Sequence, residues 1–133
     1  MADPDEHAAA CAQAFAARHL AARLGLIPAA RGADALAAAG WEGPLNYEQD
    51  TAKISAVVRS WEDRFGVRVV AAGFATLHLS VAWPPTRPQD ALLLAAEHAA
   101  FCPDVLGYAG HPPTLAAYAE RLVGAESWDF WWD

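Results

Sequence analysis

The chain predicts an α+β fold, with helices packed on a small antiparallel sheet that includes a C-terminal aromatic strand, and three observations carry that prediction. First, Trp128-Asp129-Phe130-Trp131-Trp132-Asp133 holds half of the six tryptophans and alternates with the period of two of a strand that has unlike faces. Burying one such ring removes roughly 150–250 Å² from water, on the order of 4–6 kcal/mol before entropy, so this segment is expected to dock as a sheet strand. Second, Ile54, Val57, Val58, Trp61 and Phe65 follow the i, i+3, i+4, i+7 spacing of an amphipathic helix. Third, no repeat, low-complexity tract or linker divides the 133 residues. They are expected to form one domain, 1–133, with a helical extension over 1–31 and a core over 32–133.

Asp3, Pro4 and Glu6 read as an N-cap, a first-turn proline and the third-position acid of a capping box. The helix they start is expected to run through Cys11, Phe15, Leu20 and Leu24 and to stop near Gly25. Leu26-Ile27-Pro28 reads as a short edge strand, where proline is tolerated. Asp34 to Ala39 predicts a short helix closed by Gly40, and Trp41 to Gln49 an ordered loop. Asp50 or Thr51 caps the amphipathic helix, on which Arg59 is spaced to pair with Glu62 and Asp63. Gly66 ends it. Val67 to Ala71 predicts a β-branched strand, and Gly73 a turn. The next strand alternates Leu77, Leu79 and Val81 with His78, Ser80 and Ala82, one face apolar and the other expected in water. After Trp83-Pro84-Pro85, a helix begins near Thr86 to Pro88 and ends at Cys102, because Pro103 disfavours a helical residue before it. Gly107 to Pro113 reads as a loop. Thr114 caps a last helix carrying Leu115, Tyr118, Ala119 and Leu122, with Gly124 after it.

With 9 Lys+Arg against 16 Asp+Glu and a formal net charge of -7, the chain lacks the basic footprint that nucleic acid or an anionic membrane requires. It shows no signal peptide and no run approaching the ~20 apolar residues of a membrane span. Two cysteines make no disulfide framework, so a cytoplasmic setting is the expectation. No cofactor or metal is expected, and the oligomeric state is left open.

Glu97, His98, Cys102 and Asp104 gather four reactive side chains at one helix end. His98 and Cys102, four apart on a helix, share a face and have the spacing of two zinc ligands. Cys102 with His98 as base has the composition of a reactive-cysteine pair. Glu97 and His98, however, diverge by about 100° around the helix, and the metal reading lacks a second paired motif. A packed thiol and a hydrogen-bonded imidazole are the simpler expectation. Glu97, flanked at i−4 and i+4 by Leu93 and Phe101, is expected to face the apolar side and to need a cation such as Arg64 or Arg68. Asp104 is spaced to cap a turn over Val105 to Tyr108. Trp131 falls on the opposite strand face from Trp128 and Trp132, which makes it a candidate binding anchor, together with Asp133, Glu62 and Arg64.

Four stretches taken together, Trp61-Glu62-Asp63-Arg64-Phe65-Gly66, Leu77 to Pro85, Ala96 to Asp104 and the closing aromatic hexapeptide, resemble the bacterial family catalogued as domain of unknown function 4253. The resemblance covers about Gly32 to Asp133 and leaves the first helix outside. Where family members often carry polar residues or a tryptophan after Cys-Pro-Asp, Val105-Leu106-Gly107-Tyr108 stands here. The resemblance implies a cytosolic bacterial protein and brings no activity or catalytic residue with it. Acidic charge and surplus aromatics favour a non-enzymatic protein-binding, adaptor or immunity-type module with a protein partner. The alternative is a hydrolase or metal-dependent enzyme built on Glu97, His98, Cys102 and Asp104.

Overall fold

In the computed structural model, which describes residues 1–108 and 110–133, five helices pack on a three-stranded antiparallel sheet. The helices are α1 (Pro4–Arg18), α2 (Ala35–Ala38), α3 (Thr51–Phe65), α4 (Pro88–Phe101) and α5 (Leu115–Leu122). The strands are β1 (Val67–Ala72), β2 (Thr76–Val81) and β3 (Ser127–Trp131), in spatial order β1-β2-β3. The hexapeptide therefore supplies a sheet strand, with Phe130 opposite Leu77 and Trp128 opposite Leu79. Short 3-10 turns over Gly32–Asp34 and Pro103–Val105 precede α2 and follow α4. The expected loop over 107–113 contains Ala109, which lies outside the described residues.

One sheet face meets α3 and α4 in an aromatic core. Trp61 is fully buried at its centre, stacked parallel to Phe130 at 5.7 Å and edge-on to Phe101 at 4.9 Å and Trp128 at 5.5 Å. Such offset and edge-on geometries suit the ring quadrupoles. Trp132, just past β3, is also buried and donates its indole N–H to the Phe101 carbonyl at 3.3 Å. Gly66 closes α3 at φ +60°, and a Cβ there would sit 3.0 Å from both Ala82 Cβ and the Trp83 ring and 3.2 Å from Pro4. Glycine is required twice over, by the left-handed backbone and by this close approach. The β1–β2 ladder slips register between Val69 and Ala71, a bulge in a border strand.

The other sheet face is covered, not solvated. Helix α1 lies on it, His7 donating to the Glu126 carbonyl at 2.9 Å and Phe15 tilting over His78 at 4.8 Å, while Ser80 is fully buried. None of the residues of α1 is fully buried, so the helix is held by polar contacts and by the half-buried Pro4, Cys11 and Phe15. It stops at Arg18, not near Gly25. At about 100° per residue, Leu20 and Leu24 in a continuing helix would point roughly 140° and 180° away from Phe15, where no surface receives them. Leu26 to Pro28 forms no strand, because its backbone finds no partner in the sheet. Arg59 reaches Asp34 at 2.6 Å in place of Glu62 and Asp63, since the turn before α2 brings that carboxylate alongside α3. Among the described residues, no helix is long and apolar enough to cross a membrane.

Candidate functional site

Helix α4 fixes Glu97, His98 and Cys102, and the following 3-10 turn fixes Asp104. Each of the four is committed to a different neighbour. Glu97 lies on the outer side of α4 and makes a bidentate pair with Arg64 of α3 at 2.7 and 2.8 Å, with both side chains around 40 % exposed (38% and 43%). The expected cation is therefore present, but the expected burial is not: Leu93, one turn earlier, is itself 71% exposed. An exposed pair of this kind contributes at most about 1 kcal/mol.

His98 is fully buried between the aromatic core and α5. Its Nδ1 shares a 2.8 Å hydrogen bond with the Tyr118 hydroxyl, and its ring meets Trp128 and Phe130 edge-on at 4.6 and 4.9 Å. Burial without a counter-charge pushes its pKa down to about 3, so the imidazole is neutral at neutral pH. The same burial drives the Tyr118 hydroxyl upward, and this pair stays protonated on oxygen and uncharged.

Cys102 is also fully buried, donating its thiol to the Trp131 carbonyl at 3.0 Å, and burial pushes its pKa up to about 12. A thiol three decades above its ordinary value supplies roughly a thousandfold less thiolate, the form that reacts. Native protein treated with Ellman's reagent is therefore expected to release the equivalent of one thiol, Cys11, and the second only on adding denaturant. Rapid modification of Cys102 in the folded state would contradict the packing described.

Asp104 turns the other way again. It accepts from the Tyr47 hydroxyl at 3.2 Å and from the Asp133 N–H at 2.9 Å, in place of capping its own turn. Neither of two clefts among the described residues, about 350 and 340 Å³, is lined by any of the four. Among the described residues, no group of three His, Cys, Asp or Glu is arranged to hold a metal ion.

The four binding candidates divide in two. Glu62 is buried, its Oε1 accepting from the Ala33 N–H at 2.9 Å, with Arg31 and Arg68 at 3.7 and 3.8 Å from Oε2 in one of these clefts. It anchors the turn before α2. Arg64 lines the other cleft, beside Trp83 and Pro84, and is engaged by Glu97. Trp131 and Asp133 mark the corner where β3 ends. Trp131 is half-buried and stacks on Tyr108 at 5.1 Å with the rings 25° apart, and Tyr108 is 46% exposed. Asn46 donates to the Asp133 carbonyl at 2.9 Å, and Tyr47, tied to Asp104, is 49% exposed.

Beside this corner, His78 donates to Asp129 at 2.6 Å, holding that carboxyl below the usual carboxylate range. Sequence reasoning did not single out Tyr47, Tyr108 or the His78–Asp129 pair. Only the strand register, which sets residues 78 and 129 side by side, reveals the last of these.

No curated protein and no solved structure matches this chain. The fold and the corner just described therefore stand on their own geometry. The family model described as a domain of unknown function, DUF4253, matches residues 23–133, which takes in every strand, leaves α1 outside and begins ahead of Gly32, and the chain belongs to that family.

Proposed function

We propose that this protein is a non-catalytic protein-binding module, of the adaptor or immunity type, whose binding surface is the corner formed by Tyr47, Tyr108, Trp131, Asp104, Asp129 and Asp133. The observation that carries the reading is the Tyr108–Trp131 stack, left half-open while Trp61, Trp128 and Trp132 are buried. Two parallel rings held by the frame offer a rigid apolar face at little entropic cost, the property that enriches aromatics at interface hot spots. Carboxylates around the rings select the partner's chemistry. Arginine or lysine side chains stack on such rings and pair with the acids, so the partner presents cations beside apolar groups. A cytosolic setting suits the two unpaired cysteines. No observation favours the hydrolase or metal-dependent alternative, since Glu97, His98, Cys102 and Asp104 serve four separate contacts.

A benzophenone side chain placed at position 108 and irradiated in cells is expected to give a discrete protein adduct. That adduct should vanish with Trp131→Ala and should not form from exposed Ala56 on α3. Equal labelling from both positions, or no adduct from 108, would overturn the reading.

A further inference from the structure

Residues 20–30, between α1 and the core, are exposed throughout. Leu20, Leu24 and Leu26 are 91%, 92% and 90% exposed, as bare as in an unfolded chain. From residue 23 to residue 30, no backbone hydrogen bond holds the segment to the sheet or to a helix. Its charge is also unlike the rest. From His7 to Ala33 the chain carries Arg18, Arg23 and Arg31 and no acid, although the whole has a formal net charge of -7. Leucines set among arginines are the chemistry that the aromatic, carboxylate-bearing corner is built to receive.

We propose that residues 19–27 are a docking segment that occupies the Tyr108–Trp131 corner of a second copy of this chain, two copies exchanging segments across a twofold axis. This rests on the reading of that corner as the binding surface and names its occupant. Continuity supports the exchange. His19 stacks on Phe15 at 4.1 Å, Phe15 lies on His78, and His78 bonds Asp129, so each segment leaves its own core beside its own corner. Segment and corner thus form one patch that can complement itself, as an isologous dimer requires. In the exchange, Leu20 and Leu24 cover the partner's ring faces, and Arg23 meets its carboxylates. Two other occupants fit less well. Pairing segment on segment would oppose like arginine charges, and an anionic lipid surface would repel the acidic body.

Sedimentation of the full chain up to about 1 mM is expected to show a monomer–dimer equilibrium that weakens with salt. Leu20→Ser, Leu24→Ser and Leu26→Ser together are expected to weaken it by about a hundredfold or more, with the thermal melt unchanged because these side chains are already solvated. Trp131→Ala, and separately Tyr108→Ala in case the first disturbs β3, should do the same. The decisive result is complementation: the triple serine variant keeps a corner and Trp131→Ala keeps a segment, so a mixture should form heterodimers when neither forms homodimers.

A monomer at all concentrations, a dimer indifferent to the three serines, or failure to complement would overturn the proposal. So would binding of the intact chain to phosphatidylglycerol vesicles that the serines abolish. If the benzophenone at position 108 captures a different protein while the chain stays monomeric, the binding surface stands and the second copy falls. If it captures nothing, both fall.

Discussion

A chain truncated after Ser127 is expected to lose cooperative unfolding altogether, not to melt a few degrees earlier. The truncation removes Trp128, Phe130 and Trp132, which are 3%, 2% and 2% exposed, and uncovers Leu77, Leu79 and the face of Trp61. At about 4–6 kcal/mol per ring the loss reaches about 12 kcal/mol or more, and even reduced by a third for compactness of the unfolded chain it rivals the roughly 5–15 kcal/mol of a whole domain. Circular dichroism should show a broad, shallow transition, and a dye that binds exposed apolar surface should bind strongly at room temperature. A sharp melt at the temperature of the intact chain would mean that the hexapeptide is not part of the sheet.

Acid is expected to weaken the fold well above the carboxylate range, through His98. Its pKa is about 6.5 in the unfolded chain and is lowered to about 3 in the folded one. The unfolded state therefore binds the extra proton first, and the stabilisation is complete above about pH 6.5 and lost as pH falls toward about 3. The slope for one such group is about 1.4 kcal/mol per pH unit. His111, also lowered by burial, acts in the same direction, so the measurement that isolates His98 is a comparison. Denaturant titrations of the wild type and of His98→Gln between pH 7 and 4.5 should differ in slope by roughly that amount. Tyr118→Phe, which strips the imidazole of its hydroxyl partner, should cost about 1–3 kcal/mol at pH 7. Nitrogen chemical shifts showing His98 titrating near pH 6.5 in the folded protein would refute the assignment.

Local rules made much of this fold legible. The spacing of Ile54, Val58 and Trp61 defines α3 because one face of a helix must be apolar, and the alternation around Leu77 and around Trp128 defines β2 and β3 for the matching reason. Two carboxylates on neighbouring helices show where such rules stop. The neighbours of Glu97 predict the apolar side and the spacing of Glu62 predicts a pair with Arg59, yet Glu97 is half-exposed and Glu62 is buried away from Arg59. Nothing in α3 by itself announces that the turn before α2 will bring an N–H to Glu62, nor anything in α4 that Leu93 will stay in water. Burial there is decided by which elements meet, not by i and i+4 neighbours. The same holds for Asp104, whose partners Tyr47 and Asp133 are far away in the chain. The length of α1 was unreadable for another reason: its alanines favour helix but mark no preferred face.

The slipped register between Val69 and Ala71 has a consequence for life in a crowded solution. Val-Arg-Val-Val-Ala-Ala on a sheet border is the kind of extended, β-branched stretch along which a foreign strand adds and fibres nucleate. One residue out of step breaks the comb of amides and carbonyls halfway and bends it, leaving too short a regular run for another chain to zip onto. A flaw in the ladder thus serves as a guard against runaway polymerisation.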